Sequence, residues 1–301
     1  MLIDKKPLAS ENRQGILLMI VSMAFFTLAD LFLKYASEFV TTGQITLALG
    51  VGGTLMFRLM LFRKGEAVFT SECISGPVIL RTAGEMVATL FIILALTYAS
   101  FTGVAVILQT LPLLLTLCSF LFLKESVGLH RIAAVVLGFG GVLLIVQPGS
   151  EGFDAYSLLA ILAVIGMTMR DFGSRLCPSS ISSERLAIYG TLAQIVLGLT
   201  LMAFEDDHSM PNLEVSLYLL AMVFFASLAI LVVTMAMRVG EVSVVSPFRY
   251  SRLFFAVLLG IFVLDEAVDQ NMILGSIVII VAGLYVWWRE RQNEQKPIVN
   301  E

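Results

Sequence analysis

The residues able to do chemistry in this chain are charged groups set inside apolar runs. Pro247-Phe248-Arg249-Tyr250-Ser251-Arg252 places two arginines within Val242 to Leu264, a stretch long enough to cross a bilayer. An arginine at the centre of a spanning helix costs roughly 2.5–3.5 kcal/mol on insertion scales, so such residues face a bundle interior or a wet cavity and mark a substrate or ion path. Three pairs stand four residues apart on one helix face: Asp30 with Lys34, Arg81 with Glu85, and Asp171 with Arg175. That spacing lets each pair partly neutralise itself. Arg170, Arg249 and Arg252 then form an expected surplus of positive charge. The planar guanidinium binds carboxylate, phosphate or sulfonate through two bonds at once, so the pattern predicts capture of a small organic anion or zwitterion. The alternative is that these arginines find acids on other helices, and then no anion is implied.

Other chemistries lack their residues. His130 and His208 sit in separate loops, so no metal site is expected, and Cys73, Cys118 and Cys177 are odd in number and scattered. There is no Gly-x-Ser-x-Gly and no Gly-x-x-x-x-Gly-Lys-Ser/Thr, which argues against a hydrolase and against ATP coupling within the chain. No cofactor is expected. A net charge of -4 gives no reason to expect a nucleic-acid partner.

The elements that must position these charges are membrane helices. With 58% hydrophobic and 14% charged residues, the 301-residue chain has more apolar surface than a soluble domain can hide, so a lipid bilayer is its solvent. Apolar segments fall at about 15–36, 43–62, 77–98, 103–122, 131–147, 157–177, 184–204, 214–237, 242–262 and 270–288, each near the length of a spanning helix. Backbone groups in hydrocarbon must bond within their own segment, so an all-α integral membrane protein of ten helices is expected. Met1 to Gln14 is polar, and no cleavable leader is expected before the first span.

Lys5, Lys6, Arg13, Arg63, Lys64, Lys124, Arg131, Arg238, Arg289, Arg291 and Lys296 all fall on one side of that topology, and the loops opposite carry none. Both termini, 1–14 and 290–301, are therefore predicted to be cytoplasmic. Arg58 and Trp287-Trp288-Arg289 read as interfacial anchors.

An internal repeat appears at one constant offset. Asp171 follows Asp30, Arg175 follows Lys34 and Glu266 follows Glu125 by the same interval along the chain. Five helices per half is an odd number, so the second half must enter the membrane from the other side. Two inverted five-helix repeats are expected, at 15–147 and 157–289, with a substrate site at their interface near the midplane. The offset also exposes an asymmetry. Arg249, Tyr250, Ser251 and Arg252 correspond to Leu108, Gln109, Thr110 and Leu111, so neutral polar groups of the fourth helix stand opposite the charged face of the ninth. Asp30, Lys34, Asp171 and Arg175 read either as paired gates at the two ends of the cavity or as snorkelling caps. Glu85 reads either as a proton-coupling acid or as the partner of Arg81.

Two five-helix halves, an acidic residue ending the fourth helix of each (Glu125, Glu266) and glycine-marked fifth helices (Gly138, Gly140, Gly141; Gly275, Gly283) resemble the drug/metabolite transporter superfamily of EamA type. The resemblance spans roughly 15–289 and implies a secondary carrier of a bacterial inner membrane. Its cavity would be built mainly from the first, third, fourth, sixth, eighth and ninth helices. The Arg170-Asp171…Arg175 and Pro247-to-Arg252 segments are similar to those of bacterial subgroups that include proposed uptake carriers for S-adenosylmethionine and other metabolites. Export of amino acids or drugs coupled to protons, a passive pore, and a lipid- or acyl-modifying membrane enzyme are the competing readings. The glycines of the fifth and tenth helices would serve packing inside a monomer sufficient for transport, or contacts of a homodimer.

Overall fold

The computed structural model describes residues 9–69, 71–123, 129–147, 155–178, 180–206, 210–239, 245–267 and 269–294. Among them are eleven α-helices: α1 Ala9–Ala36, α2 Thr42–Lys64, α3 Gly76–Tyr98, α4 Phe101–Leu108, α5 Leu111–Leu123, α6 Leu129–Val146, α7 Ser157–Leu176, α8 Ser183–Met202, α9 Leu213–Val239, α10 Ser251–Val263 and α11 Gln270–Glu294. Short 3-10 turns at Ser71–Ile74 and Ser246–Tyr250 precede α3 and α10. Helices α4 and α5 share the fourth span, and the second 3-10 turn with α10 makes the ninth, so ten spans result.

Local signals set the ends. Thr41 and Gln44 form a capping box that starts α2, and Gly65, at φ 68°, ends it in the left-handed conformation. The apolar spacing along each helix then leaves little choice but lateral packing.

Eight spans close into a ring. Helix α1 packs on α9, α9 on α2, α2 on α8, α8 on α3, α3 on α7, α7 on α4 and α5, α4 on α10, and α10 back on α1. Helices α6 and α11 pair with each other and stand against α4, α5 and the second 3-10 turn. In that pairing Gly141 meets Ile279 and the Gly275 carbonyl, so these glycines serve packing within the chain.

The inversion is visible where α2 meets α8. The Gly43 N–H donates to Glu205 Oε1 at 3.0 Å at one end, and Lys64 Nζ donates to Glu184 Oε1 at 2.8 Å at the other. The repeat offset carries Gly43 onto Glu184 and Lys64 onto Glu205. Each contact is the counterpart of the other across the pseudo-two-fold, which requires the halves to run in opposite directions.

Candidate substrate site

Both broken spans break at the same place. In the fourth, the N–H groups of Gln109 and Thr110 donate to Val106 and Ile107, three residues back, and α5 restarts at Leu111 ahead of Pro112. In the ninth, the 3-10 turn ends at Tyr250 and α10 starts at Ser251, the positions that the repeat offset assigns to Gln109 and Thr110. Discontinuous helices at the midplane are where inverted-repeat carriers build their sites. Here the break brings Arg249 and Arg252 to either side of the start of α10.

From there a chain of charge crosses the ring. Arg252 Nη2 donates to Asp30 Oδ2 on α1 at 2.5 Å, with its guanidinium 5.3 Å from the centre of the Phe26 ring. Arg249 lies within electrostatic reach of Arg252, Asp171 and Arg170. On α7, Arg170 Nε donates to Asp171 Oδ1 at 2.8 Å, and its Nη1 stands 3.9 Å from Glu85 Oε1 on α3. Arg81 Nη2 lies 3.7 Å from Glu85 Oε2. Gln194 of α8 donates to Glu85 Oε1 at 3.4 Å and to Thr89 Oγ1 at 2.7 Å.

One expected pairing does not form as the spacing suggests. Asp30 is taken by Arg252, because α10 starts directly against α1. Lys34 instead donates to the Leu96 and Ala99 carbonyls, at 3.2 and 3.1 Å, where α3 ends and its last carbonyls lack helical partners. The expected surplus of three cations also shrinks, since Arg170 and Arg252 find acids. Arg249 is left over: it makes no ion pair or hydrogen bond among the described residues, and its buried Nε has no acceptor.

Arg170 and Asp171 keep 28% and 25% of their side-chain surface accessible although they sit deep among the helices, and Arg249 is likewise part-exposed. These groups are therefore reachable from solvent-sized space and are not sealed within the helix packing. Open concavities also occur elsewhere, one of about 390 Å³ against α3 and α8 lined by Met86 and Tyr189, but they hold none of these charges.

Other predicted residues lie apart from the charges. Gln109 and Thr110 are buried, and their side chains donate to the Ala105 and Ile107 carbonyls of their own span. Ser251 Oγ donates to the Phe248 carbonyl. The Tyr250 hydroxyl turns toward α11 and lies against Gly283, whose missing Cβ gives it room. The side chain of Arg175, the residues Lys124 and Glu125, and the tails 1–8 and 295–301 lie outside the described residues. Glu266 is placed: its carboxylate accepts the N–H groups of Phe101 and Thr102, at 2.5 and 2.8 Å, and so caps α4 from the other repeat. Sequence reading missed Gln194 and Gly190, over which Arg81 Nη1 passes; a lone glutamine within an apolar span was the available signal.

Ten spans in two inverted halves, with a cluster of charged side chains among them, make this a multi-pass membrane protein of carrier-like architecture. The chain belongs to the EamA-like transporter family, whose pattern matches residues 13–147 and again 155–288. Among curated relatives, an S-adenosylmethionine uptake transporter of Rickettsia bellii is 24% identical over 67% of this chain and 69% of its own length. A riboflavin transporter of Brucella anthropi is 31% identical over 64% of this chain and 70% of its own. A riboflavin transporter of Vibrio cholerae is 28% identical, and the chain spans 66% of its length. A crystal structure with 17% identity superposes with a TM-score of 0.65 over 94% of this chain and 99% of the other, a likeness of fold alone. Membership in a transporter family sets the membrane-enzyme reading aside.

Proposed function

We propose that this protein is a secondary uptake carrier, in a bacterial cytoplasmic membrane, for a small organic metabolite bearing a carboxylate. The observation that carries the reading is Arg249, a part-exposed guanidinium that makes no ion pair or hydrogen bond among the described residues. Four arginines (Arg81, Arg170, Arg249, Arg252) stand against three acids (Asp30, Glu85, Asp171), so a single negative group balances the cluster.

The relatives' substrates differ in these respects. S-adenosylmethionine carries a carboxylate, an ammonium and a sulfonium, whereas riboflavin has no carboxylate for Arg249 to hold. The site therefore favours an amino-acid-bearing metabolite of the first kind. Uptake of labelled S-adenosylmethionine and riboflavin into proteoliposomes tests this. Accumulation of the first, competed by free α-amino acids with bulky side chains, is expected. Accumulation of riboflavin alone, unchanged in Arg249→Ala, would overturn it.

A further inference from the structure

The two longest seams of the ring are counterparts under the pseudo-two-fold, yet they are filled by opposite kinds of residue. The seam between α1 and α9 holds a column of rings: Phe25 against Phe225 at 5.8 Å, Phe225 stacked on Phe32 at 5.8 Å with their planes 1° apart, and Tyr218 beside Tyr35 at 5.6 Å. Under the repeat offset Phe25 corresponds to Gly166, Phe32 to Gly173 and Phe225 to Gly84. Those three glycines make the seam between α3 and α7. A Cβ on Gly84 would meet the Arg170 backbone nitrogen at 2.4 Å, one on Gly166 the Ala88 nitrogen at 2.4 Å, and one on Gly173 the Arg81 nitrogen at 2.7 Å. Each of these phenylalanines on one side thus answers to a glycine on the other.

This exchange restricts how the molecule can move. In a carrier of inverted repeats, the simplest route to the opposite-facing state is for each half to adopt the conformation of the other. Such a swap would bring α1 and α9 as close as α3 and α7 now stand. A methyl group does not fit at that spacing, and a phenyl ring fits still less. The difference between the seams is written in side-chain volume and cannot be reversed by a conformational change.

The α2–α8 seam is glycine-seated as well, with a Cβ on Gly50 meeting the Ile195 nitrogen at 2.6 Å and one on Gly198 the Leu47 nitrogen at 2.6 Å, whereas the contacts of α4 and α10 add polar ties. Where α4, α10 and their neighbours meet, the ties are polar: Arg252 to Asp30, Glu266 to the start of α4, and Lys34 to the end of α3. Polar ties can pass to water or to a solute without opening a void, whereas interlocked rings and glycine-seated backbones cannot. The α4 face of these ties is closed, with Phe101 through Thr110 all buried, while the equivalent positions Phe248 to Ser251 keep accessible surface.

We propose that the α1–α9 and α3–α7 seams persist unchanged through the transport cycle as two rigid pairs. Access alternates by movement of α4 with α5, and of the 3-10 turn with α10, about the joints at Gln109–Thr110 and Tyr250–Ser251.

Cross-linking separates the two kinds of contact. In a full-length chain carrying Cys73→Ser, Cys118→Ser and Cys177→Ser, Ser22→Cys with Ala229→Cys bridges the α1–α9 seam, where the Ser22 hydroxyl already bonds the Ala229 carbonyl. Thr102→Cys with Gly260→Cys bridges α4 and α10, where the Thr102 hydroxyl occupies the space a Cβ on Gly260 would need. Should the latter fail to fold, Thr102→Cys with Glu266→Cys spans the same gap. The readouts are uptake of S-adenosylmethionine and of riboflavin, and labelling of an added Ser251→Cys by an impermeant maleimide in right-side-out and inverted vesicles. The labelling needs no substrate. The seam cross-link is expected to leave labelling from both sides, and any uptake, as in the reduced protein; the α4–α10 cross-link is expected to abolish uptake and confine labelling to one side, reversibly with a thiol reductant. Loss of two-sided labelling on oxidising the seam pair, restored by reductant, would overturn the proposal. So would two-sided labelling that survives the α4–α10 bridge. Normal alternation without uptake of either metabolite would count against the substrate reading alone.

Discussion

Arg249 differs from its neighbours because it has no directly bonded acid among the described residues. A hydrogen bond between charged groups contributes about 1.5–3 kcal/mol, so Arg249→Ala is expected to weaken binding of a carboxylate substrate by roughly 10- to 100-fold in a calorimetric titration. Arg249→Lys keeps the charge and loses the two-pronged geometry, so its affinity should fall between the two. Equal affinities for all three proteins would remove Arg249 from the site. For Asp30 the expectation concerns stability. Removing the acid leaves Arg252 without its partner in a setting only 14% exposed, a loss of up to about 3–5 kcal/mol, whereas removing both relieves the orphaned charge. Asp30→Ala should therefore melt lower than Asp30→Ala with Arg252→Ala, and the reverse order would show that the pair is not a structural tie. At this scale the sequence displayed the charged residues and hid their partners. Spacing along one helix suggested Asp30 with Lys34, but contacts between helices 222 residues apart in sequence decide the pairing, and no local pattern reports them.

Between elements, close approach is controlled by a few glycines, and they are not equivalent. Gly166→Ala places a methyl against the Ala88 backbone and should lower the melting temperature, as overpacking by one group costs about 1–3 kcal/mol. Gly140→Ala meets no atom within 4 Å and is expected to be neutral or slightly stabilising, since alanine gives up less backbone freedom in a helix than glycine does. Similar losses from both would mean that the α3–α7 approach is not what the glycine serves. Glu266 acts on a neighbouring element in another way. Its removal in Glu266→Ala leaves two N–H groups at the start of α4 without acceptors, and a loss of about 0.5–2 kcal/mol is expected, as for other N-terminal caps. The spans were legible because about twenty apolar residues announce a helix that crosses lipid. The breaks at Gln109 and Tyr250 were not, because the polar residues there read equally well as site residues on an unbroken helix. Pro112 and Pro247 stood nearby without aligning under the repeat offset, so they could not mark the equivalent positions.

On the scale of the molecule, the repeat was readable because a few costly charges were placed at a constant offset, and Asp30 with Asp171 is the clearest case. The order of helices around the ring was not, since lateral packing of apolar faces in lipid is carried by shape and leaves no periodic signature. Sidedness rests on a separate physical argument. Arg63 and Lys64 at the end of α2 share one end of the bundle with Arg185, which donates to Glu66 Oε2 at 3.2 Å, whereas the opposite end is tied by Glu205 and Glu266. Lysine and arginine in short loops are retained on the cytoplasmic side during insertion, while acids have little influence. An even number of spans then predicts that both termini lie in the cytoplasm. A C-terminal green fluorescent protein fusion should fluoresce and the matching alkaline phosphatase fusion should be inactive. A cysteine introduced for Asp206, in the chain without native cysteines, should react with an impermeant maleimide added to whole spheroplasts. Because the two halves are inverted, reversing the molecule would exchange the closed α4 face for the accessible Arg249 face. An active phosphatase fusion with an unreactive Asp206→Cys would therefore overturn this sidedness and place Arg63, Lys64 and Arg185 on the outer side.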